Sequence, residues 1–147
     1  MVEYPVEVAL TQQTPSLPVG EGWWYEPKLD GDRGVLWRRD TVRIQTRAGR
    51  DATEQWLDIA TAAMDLPPDT VLDGELVIWR DGGTDFGAVR SRLSVRGRRL
   101  ADLIRRYPAS YAAFDCLQLA GHDLRSSSYA DRRAALLDVL EPLGPPL

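Results

Sequence analysis

The segment Glu26-Pro27-Lys28-Leu29-Asp30-Gly31-Asp32-Arg33 holds the single lysine of a chain whose other 17 basic residues are arginines. An ammonium can be induced to lose its proton and attack as an amine, whereas a guanidinium stays protonated at any workable pH. Nucleophilic attack is therefore a chemistry that Lys28 could perform and that no other basic residue here could. On the count alone, a surface lysine in an arginine-rich composition explains the observation more simply. A second group is Asp73-Gly74-Glu75, set inside the apolar run from Val71 to Trp79. Strand alternation puts Asp73, Glu75, Val77 and Trp79 on one face, and two carboxylates there are costly to bury unless something binds them. The alternative is an edge strand on which both face water.

The surrounding patterns favour the chemical reading of Lys28. Lys28-x-Asp30-Gly31-x-Arg33 resembles motif I, K-x-D-G-x-R, of the covalent nucleotidyltransferases: ATP-dependent DNA ligases, RNA ligases and mRNA capping enzymes. Thr46-Arg47-Ala48-Gly49 is similar to motif Ia, S/T-R-x-G. Asp73-Gly74-Glu75 resembles motif III, D-G-E. Phe114-Asp115, followed by Leu119-Ala120-Gly121-His122-Asp123-Leu124, resembles motif IIIa. The four stand in the family's order and span most of the chain. The tryptophan-rich stretch before Lys28 and the Asp85-Phe86 segment look most like the small bacterial ATP-dependent DNA ligases.

That resemblance implies a set of roles. Lys28 attacks the α-phosphorus of ATP, expels pyrophosphate and carries AMP as a phosphoramidate. Asp30 and Arg33 accompany it as catalytic residues, and Glu26, Arg33, Arg47, Glu75 and Phe114 bind the nucleotide, with Glu75 on the ribose and Phe114 on the adenine. Arg47 contacts the nucleotide or the 5′-phosphate of a nick, Glu75 is the metal ligand, and Mg²⁺ is the implied ion. An ordinary lysine amine, of pKa about 10.4, is roughly one part in a thousand neutral near pH 7.4, a deficit of about 4 kcal/mol. Nearby cations, Arg33 and Mg²⁺, are expected to reduce it. Transfer of AMP to the 5′-phosphate of nicked double-stranded DNA and attack by the 3′-hydroxyl would then seal the strand, a role in DNA repair or recombination.

Some features depart from the family. Leu29 and Asp32 stand where those ligases usually carry aromatics, and Asp32 adds a negative charge beside the phosphate site. No lysine follows Lys28 and no E-G-x-V-x-K segment is present. The expectation is thus the first part of an adenylation domain, with residues 1–22 an irregular lead-in and 23–147 the partial domain, unable to seal nicks alone and monomeric if completed. An RNA ligase or capping-type transferase, and a non-catalytic nucleotide- or DNA-binding relic, are the alternative readings.

The elements that must position these residues read as an α+β fold of antiparallel sheets with outer helices, an ATP-grasp-like nucleotidyltransferase (adenylation) domain incomplete at its C-terminus. Strands are predicted at Trp23–Lys28, 33–38, 42–46, 71–79 and 109–117, with a hairpin turning near Arg39-Asp40. Helices are predicted over 52–64, started by an Asp51/Glu54 capping box and stopped by Pro67-Pro68, over a short stretch after Asp85, over 98–106, and over 129–140 behind Ser128. In the last, Leu136, Leu137, Val139 and Leu140 form the apolar stripe, with Arg132-Arg133 on the wet side. Cys116 is expected to be a packed thiol on the face of Phe114.

Composition sets the outer bounds. With 147 residues, 44% hydrophobic and 27% charged, the chain can bury one sizeable core. One cysteine excludes an intrachain disulfide, and the lack of a long apolar run or leader predicts no membrane partner and a cytoplasmic location. The net charge of −4 gives no global attraction to nucleic acid, but residues 90–106 carry seven arginines and one acid, a local +6 against −10 elsewhere. Those arginines are either a track for DNA phosphates or a solvated helix face.

Overall fold

The apolar run around Asp73-Gly74-Glu75 becomes the middle of the sheet. In the computed structural model, which describes all 147 residues, β1 (Asp32–Arg38) and β2 (Val42–Thr46) form the expected hairpin. The next strand, β3 (Thr70–Arg80), pairs antiparallel with β1 on one side and β5 (Ala109–Leu119) on the other. The short β4 (Gly83–Thr84) pairs with the end of β3, and β6 (His122–Asp123) closes the far edge to give the order β2-β1-β3-β5-β6. Asp73 and Glu75 therefore lie on a central strand, which excludes the water-facing edge.

The inner face of this sheet carries the main core. Leu36, Ile44, Leu72, Leu76, Ile78, Tyr111 and Cys116 pack there against Ile59 of α1 (Leu57–Ala62, flanked by 3-10 turns), Trp56 of the 3-10 turn before it, Val89 of α2 (Phe86–Leu93) and Leu136 of α4 (Tyr129–Leu140). Burying each large aliphatic side chain is worth about 1.5–3 kcal/mol. A further helix, α3 (Gly97–Arg106), follows α2 and buries Leu100. No helix is long and apolar enough to cross a membrane.

The lead-in covers the outer face. Val2, with Val6 and Val8, packs on Val35, Trp37 and Val71. Two buried glutamines hold it: Gln118 Oε1 accepts from Val2 N at 2.7 Å, and Gln45 accepts from Val6 N at 3.0 Å while donating to the Val6 carbonyl at 2.8 Å. Residues 1–9 are irregular but fixed in place.

Several local expectations are corrected. Trp23–Lys28 forms no ladder, because no strand pairs with it; the segment is exposed, and its end, Glu26 to Lys28, lines an open cleft. The helix expected over 52–64 starts at Glu54 and mixes 3-10 and α turns; Asp51 accepts from Thr53 N at 2.9 Å instead of forming a capping box. The Ser128/Asp131 cap does form. Leu137 is exposed, and Arg132 is not on the wet side but ion-paired with Asp115, Nε to Oδ1 2.7 Å. Two bulges in β5 leave Phe114 and Leu117 without Cα partners. As a result Cys116 turns to the inner core beside Leu72 while Phe114 faces the other side, so the two do not share a face. The thiol is buried as expected, and burial pushes it up to about 11.

Candidate active site

Gly31 explains how the lysine loop reaches the sheet. An added Cβ there would lie 2.3 Å from the Leu76 carbonyl oxygen and 2.9 Å from Val77 Cγ1, so only glycine lets the loop press on β3. Gly34 and Gly74 are Cα partners across β1 and β3, and a Cβ on Gly74 would meet the Tyr111 ring at 2.6 Å. Tyr111 Oη lies 2.9 Å from the Gly34 carbonyl and 3.0 Å from that of Leu72, donating its one proton to either. Gly74 thus makes room for the Tyr111 ring, whose hydroxyl reaches the backbone of β1 and β3. Gly49 serves the Thr46–Arg50 turn with φ +79°, where Thr46 Oγ1 accepts from Arg50 N at 3.1 Å, and this turn carries Arg47.

These elements enclose an open cleft of about 740 Å³ on the outer side of the sheet. Its wall includes Glu26, Lys28, Arg33, Arg47, Glu75 and Phe114, six of the seven residues that the sequence singles out. Asp30 is the exception: it stands outside the wall and accepts from Lys28 Nζ at 3.0 Å. The Lys28 side chain is 88% exposed, so nothing restrains it but that pair.

Arg33 is less available than the resemblance implies. Its Nε and Nη2 donate to Asp73 at 3.1 and 2.6 Å, and Nη1 donates to the Ala9 carbonyl at 2.6 Å. Asp73 is therefore paired from within the protein, which corrects the expectation that a ligand must bind both carboxylates of the strand. Burial nevertheless outweighs the arginine and raises the Asp73 carboxyl above its ordinary value. The guanidinium also sits 5.3 Å from the centre of the Phe114 ring and so props that side chain.

Glu75 is half-buried and has no ion pair, and burial with the nearby Asp32 charge raises its carboxyl. Asp32 is raised mainly by burial, with Trp56 partly offsetting it; yet Asp32 Oδ2 and Trp56 Nε1 both lack a partner of hydrogen-bond geometry. Glu26 is engaged by Tyr129 of α4, whose hydroxyl donates to it and whose ring lies 5.5 Å from that of Trp24.

Sequence reasoning missed Arg133, which lines the cleft from α4, and Leu10 and Thr11 of the lead-in. The spacing of Tyr129 and Arg133, four apart and hence on one helix face, was the available signal. For the lead-in no sequence signal existed, since its position depends on Gln45 and Gln118 far away. No cluster of three or more His, Cys, Asp or Glu could hold a metal ion unaided. Mg²⁺ at nucleotide sites commonly takes only one or two carboxylates plus substrate phosphates. Glu75, which lines the cleft, fits that donor set, whereas Asp32 Oδ2 is buried beside Trp56 and out of an ion's reach.

Comparison with known proteins agrees with this geometry. Residues 10–145 match the family described as "ATP dependent DNA ligase domain". The chain is 36% identical over 143 residues to DNA ligase C2 of Mycolicibacterium smegmatis, covering 96% of this chain and 40% of that protein. It is 35% identical over 142 residues to DNA ligase C of Mycobacterium tuberculosis, covering 95% and 39%. Among solved structures, a mycobacterial DNA ligase D complexed with ATP and MES superposes with a TM-score of 0.63 at 30% identity, over 79% of this chain and 36% of the other. The ligase domain of M. tuberculosis LigD gives 0.64 at 29%, over 80% and 36%. The chain thus spans about 40% of the length of the curated relatives it matches. By its sequence, its antiparallel sheet with outer helices and its cleft, the chain belongs to the ATP-dependent DNA ligase domain family.

Proposed function

We propose that this chain supplies the nucleophile and the base-and-ribose half of a DNA ligase adenylation site. The carrying observation is that Lys28, Arg47, Glu75, Phe114 and Arg133 converge on one open cleft although they come from five separate parts of the chain. ATP is the substrate: Phe114 and the apolar wall of Ala112 and Ala113 receive the base, Glu75 accepts from a ribose hydroxyl, and the phosphates lie toward Lys28. The neutral Lys28 amine attacks the α-phosphorus. An N–P bond forms as the bond to pyrophosphate breaks, and the nitrogen sheds its proton to solvent.

Arg33 acts here as a positioning residue, because Asp73 and the Ala9 carbonyl engage all three of its nitrogens, three of its five N–H donors. Arg47 and Arg133 are the cations free to meet phosphate oxygens. Asp30 holds Lys28 near the mouth as an ammonium and must release it before attack. Glu75 would hold Mg²⁺ together with the substrate phosphates, and the ion would neutralise charge on the transferred phosphoryl group. Nicked double-stranded DNA is the acceptor, and alternatives such as RNA ligation or capping have no feature of the cleft in their favour.

The test uses the chain completed with the later segments of a DNA ligase C relative, incubated with α-labelled ATP and Mg²⁺. Acid-labile label on Lys28 is expected, and Lys28→Arg should abolish it, since arginine keeps the charge without the nucleophile. Retained label in that variant means another residue carries AMP. The 147 residues alone are expected to bind ATP weakly and not to seal nicks.

A further inference from the structure

The arginines of residues 90–106 divide on folding. Arg92 turns inward, fully buried, with Nη1 and Nη2 each 2.9 Å from Asp58 and Nη2 also 2.9 Å from the Tyr107 carbonyl. It is a structural anchor. Arg96 lies 3.8 Å from Glu54, and Arg105 pairs with Asp102. Arg98, Arg99 and Arg106 of α3 remain exposed without an acidic partner.

At 3.6 residues per turn, Arg98, Arg99, Asp102, Arg105 and Arg106 fall within an arc of about 120° on the side of α3 away from the buried Leu100. Four cations and one acid share that arc. Local stability explains half of it: Arg105 and Arg106 lie in the last turn, where cations complement the helix dipole. Arg98 and Arg99 lie in the first turn, where cations oppose it, and no acid or capping side chain compensates. Arginines that the helix does not benefit from, gathered on one cationic face of a chain of net charge −4, match an external polyanion.

We propose that this face of α3 docks the phosphate backbone of duplex DNA, outside the nucleotide cleft and independently of base sequence. No groove-reading motif accompanies the arginines, and contacts to phosphate alone position without specifying. The choice of DNA as the polyanion rests on the ligation reading.

The test is fluorescence anisotropy of the 147-residue chain with a labelled nicked duplex, titrated over a range of salt. Each phosphate contact contributes about 0.9 to the slope of log affinity against log salt. Arg98→Gln with Arg99→Gln should lower the slope by about 2 and weaken binding about tenfold at moderate salt. Arg98→Lys with Arg99→Lys should keep the slope, and Arg43→Gln with Arg125→Gln, which removes the same charge elsewhere, should leave it within measurement error. The glutamine pair should melt no lower than the parent, since it relieves the first turn of α3. Equal loss from both glutamine pairs, or tighter binding of duplex RNA than of duplex DNA, overturns the proposal. Failure of Lys28 to take label while arginine-dependent DNA binding persists sinks the ligation reading and leaves this surface standing.

Discussion

Arg33 and Asp73 meet in a two-pronged ion pair, Nε to Oδ1 3.1 Å and Nη2 to Oδ2 2.6 Å, which ties the lysine-bearing loop to the central acidic strand. Arg33 is the Cα partner of Glu75, yet its side chain reaches diagonally to Asp73. That crossing leaves Glu75 free toward the cleft. Asp73 faces Asp115 across the next ladder, and each aspartate carries its own arginine, Asp115 being held by Arg132.

Removing one partner should therefore cost far more than removing both. Arg33→Leu leaves a buried carboxylate without a cation, and breaking such a pair costs about 3–5 kcal/mol. Asp73→Leu combined with Arg33→Leu should recover most of that loss, because neither charge is then stranded. Urea unfolding of the two single variants and the double variant measures this. A double variant as unstable as Arg33→Leu alone would show that the arginine acts through its other contact, the Ala9 carbonyl.

How far the site could be read in advance depended on the range of the contacts. Lys28, Arg47, Glu75 and Phe114 were legible because each sits in a short pattern whose glycine has a local reason, a close approach at Gly31 or a positive φ at Gly49. Arg92 looked like its neighbours on paper; its burial depends on Asp58, 34 residues earlier. Trp23–Lys28 has strand composition, but a strand requires a free edge beside it. The faces of Phe114 and Cys116 were misread because a bulge adds one residue, and alternation cannot reveal that.

Gly31→Ala should damage both the fold and the chemistry. Its Cβ would meet the Leu76 carbonyl oxygen at 2.3 Å, a backbone atom that cannot rotate away. The loop must lift from β3, carrying Lys28 off the cleft. A destabilisation of about 1–3 kcal/mol is expected, with loss of label in the completed enzyme. Gly87→Ala is the contrast: its Cβ would meet only Asp85 Oδ1, at 3.2 Å, and helix propensity favours alanine there. If both variants label equally well, the loop is not seated by that contact.

Cys116 makes a prediction about alkaline pH. Burial raises its folded value from 9.0 to about 11, so the unfolded chain loses the thiol proton first. The folded state then binds more protons than the unfolded state, and stability falls as pH rises between about 9 and 11, by up to about 1.4 kcal/mol per pH unit. Below pH 9 this group has no effect. Cys116→Ala should flatten that limb of a urea-midpoint profile while lowering the whole curve, through lost packing. The native thiol should also resist a disulfide reagent at pH 8 until the protein unfolds. Rapid reaction under native conditions would show that β5 opens locally.

Gln45 links the lead-in to the cleft, and its replacement should act at both places. Its carboxamide oxygen accepts from Val6 N at 3.0 Å and from Trp37 Nε1 at 3.2 Å, and its nitrogen donates to the Val6 carbonyl at 2.8 Å. Gln45→Leu keeps the volume but strands those groups in a buried setting, each costing about 1–3 kcal/mol unless water reaches it. The lead-in has an easier response, which is to detach. Released segments take Val2, Val6 and Val8 off the outer face, expose Trp37 and withdraw Leu10 and Thr11 from the cleft wall. Arg33 also loses the Ala9 carbonyl, while its pair with Asp73 survives. Gln45→Leu should therefore weaken ATP binding although residue 45 is absent from the cleft wall, and should increase tryptophan quenching by iodide. A deletion of residues 1–9 should reproduce both effects, and the two changes together should add nothing further. Full additivity would mean that Gln45 supports the sheet itself and not the lead-in.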